Sequence, residues 1–151
     1  MMYRFSLIPV LTLVVTLCVP GPGLPAGEQV LRAGAVAVDI SPLKLPAIRN
    51  GGFIEASSNR VDDPLFARCL AVADASEMLA IAVVDSCMVS RKVCDEIKAK
   101  VKEKIGLSAN RILISATHTH SAPSAMNFCL GTRKDKAYTD SMIPRVVDGI
   151  V

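Results

Sequence analysis

The chain contains two histidines, His118 and His120, and they lie two positions apart in the stretch "ATHTHSAPS". Imidazole is the commonest protein metal ligand and titrates near neutral pH, so this spacing concentrates metal-binding and acid–base chemistry in one place. In an extended strand, residues i and i+2 project from the same face about 7 Å apart. One histidine can then bind a metal while the other contacts the substrate, or both can grip one ion if the strand bends. A third interpretation is a buried turn in which both histidines are hydrogen-bonded by neighbouring threonines.

The histidines follow a short apolar run, Arg111 to Ser115, which predicts a strand. Three earlier runs have the same character, namely Ala33–Ser41, Leu65–Ala73 and Glu77–Asp85. Only three residues separate the last two, which predicts an antiparallel hairpin. Met78–Val84 and Ile112–Ile114 are almost continuously apolar, so we expect both of these strands to be covered on both faces. The pattern predicts an α/β layered domain with mixed β-sheet flanked by helices.

Two helices are predicted around the histidine strand. The first has Ser90 as its N-cap, a left-handed stop at Gly106, and an apolar stripe at Val93, Ile97, Val101 and Ile105. The lysines between residues 98 and 104 lie off that stripe and are expected to face solvent. The second begins near Asp135 and carries Tyr138, Met142, Val146 and Ile150 on one side. Pro144 lies inside this stripe and is expected to kink or split the helix.

The N-terminal residues are typical of a secretory signal peptide. Arg4 precedes an apolar run from Phe5 to Val19, and Pro and Gly residues follow before Ala26. The run is shorter than the roughly 20 residues needed to cross a bilayer, which disfavours a retained anchor. We therefore assign residues 1–26 as a signal peptide, residues 27–151 as the mature chain, and an exported location, periplasmic or secreted.

The remaining composition limits partners and cross-links. A formal charge of +3 is too small to indicate a nucleic-acid partner. After removal of the signal peptide four cysteines remain, with no metal-type spacing, and buried free thiols are favoured over disulfides: Cys69, Cys87, Cys94 and Cys129.

Leu43–Pro64 is a long irregular stretch, and such loops are often functional. An apolar stripe still runs at the C-terminus, so we expect the domain to be incomplete there.

The histidine motif and two shorter matches resemble the N-terminal part of the neutral/alkaline non-lysosomal ceramidase family. The motif "ILISATHTHSAPS" is similar to that family's strand ending in Thr-His-Thr-His-Ser-Gly-Pro, and "AVAVDISP" and "VVDSCMVSRKV" occur in matching order. The resemblance spans roughly residues 33–151. Its histidine motif is fairly specific, whereas the other two matches are individually weak.

The resemblance implies zinc-dependent hydrolysis of the amide of a ceramide to a sphingoid base and a fatty acid. It makes His118 a Zn²⁺ ligand and gives His120 a substrate-contact or proton-handling role. A zinc site normally needs three or four protein ligands; the remaining ligands and the serine nucleophile are implied to lie in later sequence, so this fragment alone is expected to be inactive. The implied partner is a lipid or other N-acyl amide substrate, with peripheral contact to membrane lipid.

Two departures from the family pattern bear on the substrate. Two glycines of the family's Ser-Gly-Pro-Gly are replaced by Ala122 and Ser124, and the loop from Gly51 to Glu55 also differs. Side chains at residues 122 and 124 are expected to narrow or reshape the pocket. Ceramide is therefore less securely implied than zinc-dependent amide hydrolysis.

Two alternative functions remain at this point. One is another His-x-His metal-dependent hydrolase, disfavoured because metallo-β-lactamase-like enzymes continue to x-Asp-His, and because amidohydrolase barrels carry the motif on their first strand. The other is an exported, non-catalytic module of the same fold that binds lipid or another subunit. Further sequence containing a second metal histidine and a serine nucleophile would distinguish an enzyme from such a module.

Overall fold

The computed structural model describes residues 30–151, so the predicted signal peptide and Cys18 lie outside the described residues. Within this range the chain forms strands, two α-helices and a short 3-10 helix at Ala109–Arg111. The strands are β1 (Arg32–Asp39), β2 (Ala47–Arg49), β3 (Ala56–Ser58), β4 (Phe66–Ala73), β5 (Met78–Val84) and β6 (Ile112–Ala116). The helices are α1 (Arg91–Ile105) and α2 (Lys136–Ile150). None of the described helices is both long and apolar enough to cross a membrane.

Four strands form an open, mixed sheet in the order β1-β4-β5-β6, which confirms the predicted α/β class. β1, β4 and β5 are antiparallel neighbours, and β4 and β5 form the predicted hairpin. β6 runs parallel to β5, with Val84 opposite Ala116 at the end of the pair. The carboxyl ends of β5 and β6 therefore meet at one edge of the sheet, where α/β folds bind ligands.

The two helices pack on one face of the sheet and bury the stripes that the sequence indicates, except for Ile105 at the end of the α1 stripe. The Ser90 side chain accepts from the backbone N–H of Val93, and Gly106 ends α1 with φ of 74°. Asp135 caps α2 in the same way by accepting from the N–H of Tyr138. The core combines small strand residues with larger helix residues: Ala67, Ala80, Ala82, Val84, Ile97, Val101, Met142, Val146 and Ile150. Small strand residues let the helices approach the sheet closely.

The prediction that β5 and β6 are covered on both faces is wrong for the described residues. Side chains alternate along a strand, so Ala80 and Ile112 point into the helix-covered core while Leu79, Ile81 and Leu113 point to the other face. Those three side chains are exposed because both described helices lie on the same side of the sheet. A continuously apolar sequence correctly indicates that these strands are hydrophobic. It does not indicate which face of the sheet the helices cover.

Of the two effects predicted for Pro144, a split is not seen, because α2 continues through this residue as one helix. Proline removes the N–H that would bond to the carbonyl of Asp140, four residues earlier. Asp140 is exposed, so its carbonyl lies on the solvent side of α2. Met142 and Val146, on either side of Pro144, are fully buried and hold both halves of α2 against the sheet.

Leu43–Pro64 is more regular than expected. It contains the antiparallel pair β2–β3, with Ala47 opposite Ser58. An isolated bridge then joins Arg49 to Pro123, beside the histidine motif. The long loop therefore packs against the segment that carries the histidines.

Candidate metal centre

The histidines lie just beyond the carboxyl end of β6, in a turn rather than in the strand. β6 ends at Ala116, and the backbone N–H of Thr117 makes a last sheet-like bond to the carbonyl of Val84 at 3.0 Å. His118 then has a positive φ of 62°, which turns the chain. The expected edge of the sheet is confirmed. Of the two geometries expected there, the structure shows the bent one, since the turn brings the two imidazoles together.

The hydrogen bonds of the His118 ring indicate its tautomer. Its Nδ1 lies 2.8 Å from the backbone carbonyl oxygen of Cys87, which can only accept a hydrogen bond. Nδ1 therefore carries the proton in the neutral ring, and Nε2 keeps a free lone pair. Metal-binding histidines commonly donate their second N–H to a carbonyl in this way, which fixes the ring and increases its basicity.

The second imidazole faces that lone pair. Nε2 of His120 lies 3.2 Å from Nε2 of His118, and the two exposed rings meet edge to face at 81°. In the absence of metal, His120 can donate Nε2–H to His118. Two nitrogens bound to one tetrahedral zinc at about 2.0–2.1 Å would lie roughly 3.3 Å apart, so the same spacing also suits two ligands of one ion. The two imidazoles therefore fit zinc both when His118 alone is a ligand and when both histidines are ligands.

The possible donor atoms of Cys87, His118 and His120 all lie within 4.8 Å of one another. The Sγ of Cys87 is 3.7 Å from Nδ1 of His118, the edge of the ring already engaged with a carbonyl. A metal on Nε2 binds the opposite edge. We therefore assign Cys87 the role of orienting His118 through its backbone rather than ligating the same ion.

The Cys87 thiol itself is held in its protonated form. Burial, with a further contribution from the neighbouring Cys129, raises the pKa of Cys87 to about 11. Its sulfur lies 3.8 Å from the sulfur of Cys129, and both side chains are buried. The expected burial of the thiols is confirmed for Cys69, Cys87 and Cys129, whereas Cys94 is only partly buried.

Gly51 positions the second histidine by leaving space for it. A Cβ added at Gly51 would lie 2.3 Å from the Cβ of His120, a separation that real side chains do not adopt. Gly51 also has φ of 101°, a conformation that favours glycine. The backbone of the long loop therefore presses directly on the base of His120.

Asn50 ties this loop to the histidine segment. Its backbone N–H donates to the carbonyl of Ala122 at 2.9 Å, and its side-chain amide donates to Oγ of Ser124 at 3.3 Å. Its Oδ1 accepts from the N–H of Gly51 at 2.7 Å. Asn50 is fully buried, so these bonds replace water and hold the two segments in register.

Ala122 and Ser124, which stand where the resembled family has glycines, are fully buried. Ser124 donates its hydroxyl to the carbonyl of Met126 at 3.1 Å and accepts from Asn50. Its backbone N–H donates to the carbonyl of Ile48, and its own carbonyl accepts from the N–H of Asp135. Ser124 therefore joins the turn to the loop, whereas Ala122 contributes to a cavity wall.

Two cavities flank the centre. The larger, about 660 Å³, lies between the long loop and the residues that alternate with the histidines, including Thr119 and Ser121, but neither histidine lines it. The smaller, about 360 Å³, is lined by His118, Cys87 and residues at the start of α1. We regard the smaller cavity as the one adjoining the candidate chemistry, although it is more open.

Three contributors to this centre were missed by sequence reasoning: Asn50, Gly51 and Cys87. The long loop containing the first two was recognised, and the "NGG" turn within it was the available signal. Cys87 acts through a backbone carbonyl, which leaves no trace in residue type. Asp85, whose position after β5 could have suggested a ligand, instead accepts from the N–H of Phe66 and pairs with Arg68.

Solved ceramidase structures share this fold. Neutral ceramidase from Pseudomonas aeruginosa superposes with a TM-score of 0.67 at 19% identity over 81% of this chain, and a ceramidase complexed with C2 with a TM-score of 0.64 at 20% identity over 82%. This chain spans 21% of the length of each. No family model matches the sequence. The likeness supports a ceramidase-like fold for the described region.

Proposed function

We propose that the full-length protein is a zinc-dependent amide hydrolase resembling neutral ceramidase, acting on an N-acylsphingosine or a related N-acyl amide. The main observation that supports this proposal is the orientation of His118. Its Nδ1 bonds to the Cys87 carbonyl at 2.8 Å, and its Nε2 faces His120. The ceramidase-like fold supports the same proposal. Because the chain spans about a fifth of those structures, the remaining ligands and the nucleophile are proposed to lie outside these residues, and residues 27–151 alone to be inactive.

In this proposal His118 holds the metal and His120 contacts the substrate or carries a proton. A bound zinc would polarise the scissile carbonyl and activate an oxygen nucleophile. The Cys87 carbonyl keeps the His118 proton on Nδ1, so that Nε2 remains a ligand. Gly51 lets His120 approach within hydrogen-bond distance of that atom. His120 is thus placed to exchange a proton with a group bound beside His118.

A lipid substrate is supported by the apolar surface of the two loops. Phe53 and Ile54 follow Gly51 and are 83% and 86% exposed, and Phe128 in the histidine loop is 90% exposed. Large apolar side chains this accessible are typical of surfaces that contact another apolar body. We propose that they contact an acyl chain or the membrane lipid around it, in an exported protein.

The test is expression of the complete protein, followed by measurement of bound metal and of amide release from ceramides and simpler N-acyl compounds. We expect about one zinc per chain and release from at least one long-chain N-acyl substrate. His118→Ala should abolish both. Zinc content unchanged by this substitution would reject the ligand assignment, and metal-loaded protein that cleaves none of these amides would favour the non-catalytic module.

A further inference from the structure

Two buried thiols meet beneath the candidate metal centre. Cys87 follows β5, Cys129 lies in the loop after the histidine motif, and their sulfurs are 3.8 Å apart. The side chains are only 1% and 2% exposed. The other two described cysteines, Cys69 on β4 and Cys94 on α1, make no such contact with a cysteine in residues 30–151. The fold therefore selects one pair among the four described thiols.

The backbone around Cys129 forms a constrained turn. Phe128, Leu130 and Gly131 have positive φ values, and a backbone bond from Thr132 to the carbonyl of Cys129 closes a tight turn. A Cβ at Gly131 would lie 2.6 Å from the carbonyl oxygen of Phe53. The turn thus presents Cys129 to Cys87 on one side and packs against the long loop on the other.

We propose that Cys87 and Cys129 form a disulfide when the protein folds in an oxidising compartment. A disulfide bond is about 2.05 Å long, so the sulfurs, now 3.8 Å apart, must approach by roughly 1.8 Å as the bond forms. The oxidant is a disulfide of the exchange type, small-molecule or protein. The first thiolate displaces one thiol from it, and the second thiolate displaces the other from the mixed disulfide.

The electrons and protons balance in this sequence. The two cysteines lose two electrons and two protons, and the oxidant's disulfide gains them as two thiols. Because both sulfurs are buried in the folded protein, the exchange takes place before the loop closes over Cys87. Packing of the loop in the native fold then favours this pair over other pairings, which can still rearrange by thiol–disulfide exchange.

The cross-link would help to hold His118 of the metal centre in its orientation. The carbonyl of Cys87 accepts from Nδ1 of His118, so fixing Cys87 to the 117–132 loop fixes the group that orients the ligand. This consequence rests on the proposed zinc function, whereas the existence of the cross-link does not. Because the Cys87 carbonyl remains when the cross-link is lost, we expect an effect near the lower end of the roughly 10- to 100-fold loss of metal affinity that removal of such a partner causes.

The direct test is peptide mapping of the full-length protein, exported and purified without reductant and alkylated under denaturing conditions. Trypsin leaves Cys69 and Cys87 in one peptide, so cleavage after Glu77 is also needed to separate them. We expect one reduction-sensitive species joining the Cys87 and Cys129 peptides, with Cys69 and Cys94 alkylated. Alkylation of all four, pairing of Cys129 with another cysteine, or thiols joined only through a retained metal would overturn the proposal.

The coupling to zinc is tested with Cys129→Ala against Cys69→Ala as the matched control, because Cys69 is also a buried thiol but lies on β4, outside the cavity that adjoins His118. We expect zinc to bind about 10-fold more weakly to the Cys129 variant, and Cys69→Ala to match the parent protein. Reduction of the parent with a phosphine should reproduce the Cys129→Ala value, which also provides the answer if that variant fails to fold. Equal zinc affinity in oxidised and reduced protein would reject the coupling. If no form binds zinc, the proposed function fails while the mapping result stands.

Discussion

The helix-covered core and the loops around the histidines are held together by different kinds of contact. In the core, α1 and α2 bury apolar stripes against one face of the sheet, and each residue contributes through its side-chain volume. In the loops, Asn50, Gly51 and Cys87 act through backbone groups, an amide and a missing side chain. Stability is therefore concentrated in one region and orientation of the candidate centre in the other.

This comparison predicts that core substitutions lower stability, whereas loop substitutions lower turnover. Ile97→Ala removes a fully buried side chain from α1 and should cost about 2–5 kcal/mol in the free energy of unfolding. Ile105→Ala, at the exposed end of the same stripe, should cost far less. Urea unfolding of both variants measures the difference. Similar losses would show that α1 is not anchored by its buried face.

Gly51→Ala should act chiefly on the candidate centre. The added Cβ collides with the base of His120 and must displace it, and a displacement of about 1 Å can cost about 10²-fold in rate. Gly52→Ala is the control, because the nearest atom to its Cβ is the carbonyl oxygen of Ile54 at 3.3 Å. Turnover and zinc content of the full-length variants are compared. Equal turnover in both would remove Gly51 from the positioning role.

Asn50→Ala should affect both regions. It leaves Oγ of Ser124 and the N–H of Gly51 without their buried partner, at a cost of about 1–3 kcal/mol in unfolding free energy. Turnover should fall as well, because Gly51 loses its anchor. A loss of stability with unchanged turnover per folded molecule would place Asn50 in the scaffold alone.

Ser90→Ala is expected to have the smallest effect of this series. Its hydroxyl caps α1, and loss of an N-cap typically costs about 1 kcal/mol. Ser108 precedes the 3-10 helix without making a side-chain cap bond, so Ser108→Ala is the matched control. Urea unfolding should show the lower free energy of unfolding for Ser90→Ala. Equal values for the two variants would show that the cap bond does not stabilise α1.

Most of the core could be predicted from sequence because its signals are local. The hairpin, the cap residues and the stripes of both helices depend on spacing along a few turns or strands, and they are confirmed. Which face of β5 is covered depends on where both helices pack, which apolar content does not encode. The intact helix at Pro144 shows the same limit, since tertiary burial outweighed a local preference.

The candidate centre could be predicted only in its residue types. The histidine spacing located it at the end of β6, and the resemblance assigned its chemistry. The bond from His118 to the carbonyl of Cys87 joins residues 31 positions apart, and the close approach of Gly51 to His120 joins residues 69 positions apart. Contacts of this kind leave no periodic pattern in the sequence.

The most direct measurement is the zinc content of full-length His118→Ala and His120→Ala proteins, with turnover measured on the same samples. We expect no bound zinc in the first variant. In the second we expect nearly full zinc, with turnover lower by about 10²- to 10⁴-fold, as for loss of a general acid or base. Zinc retained by His118→Ala would show that His118 is not a ligand. Zinc lost from both variants would make His120 a second ligand, as its 3.2 Å separation from His118 also allows.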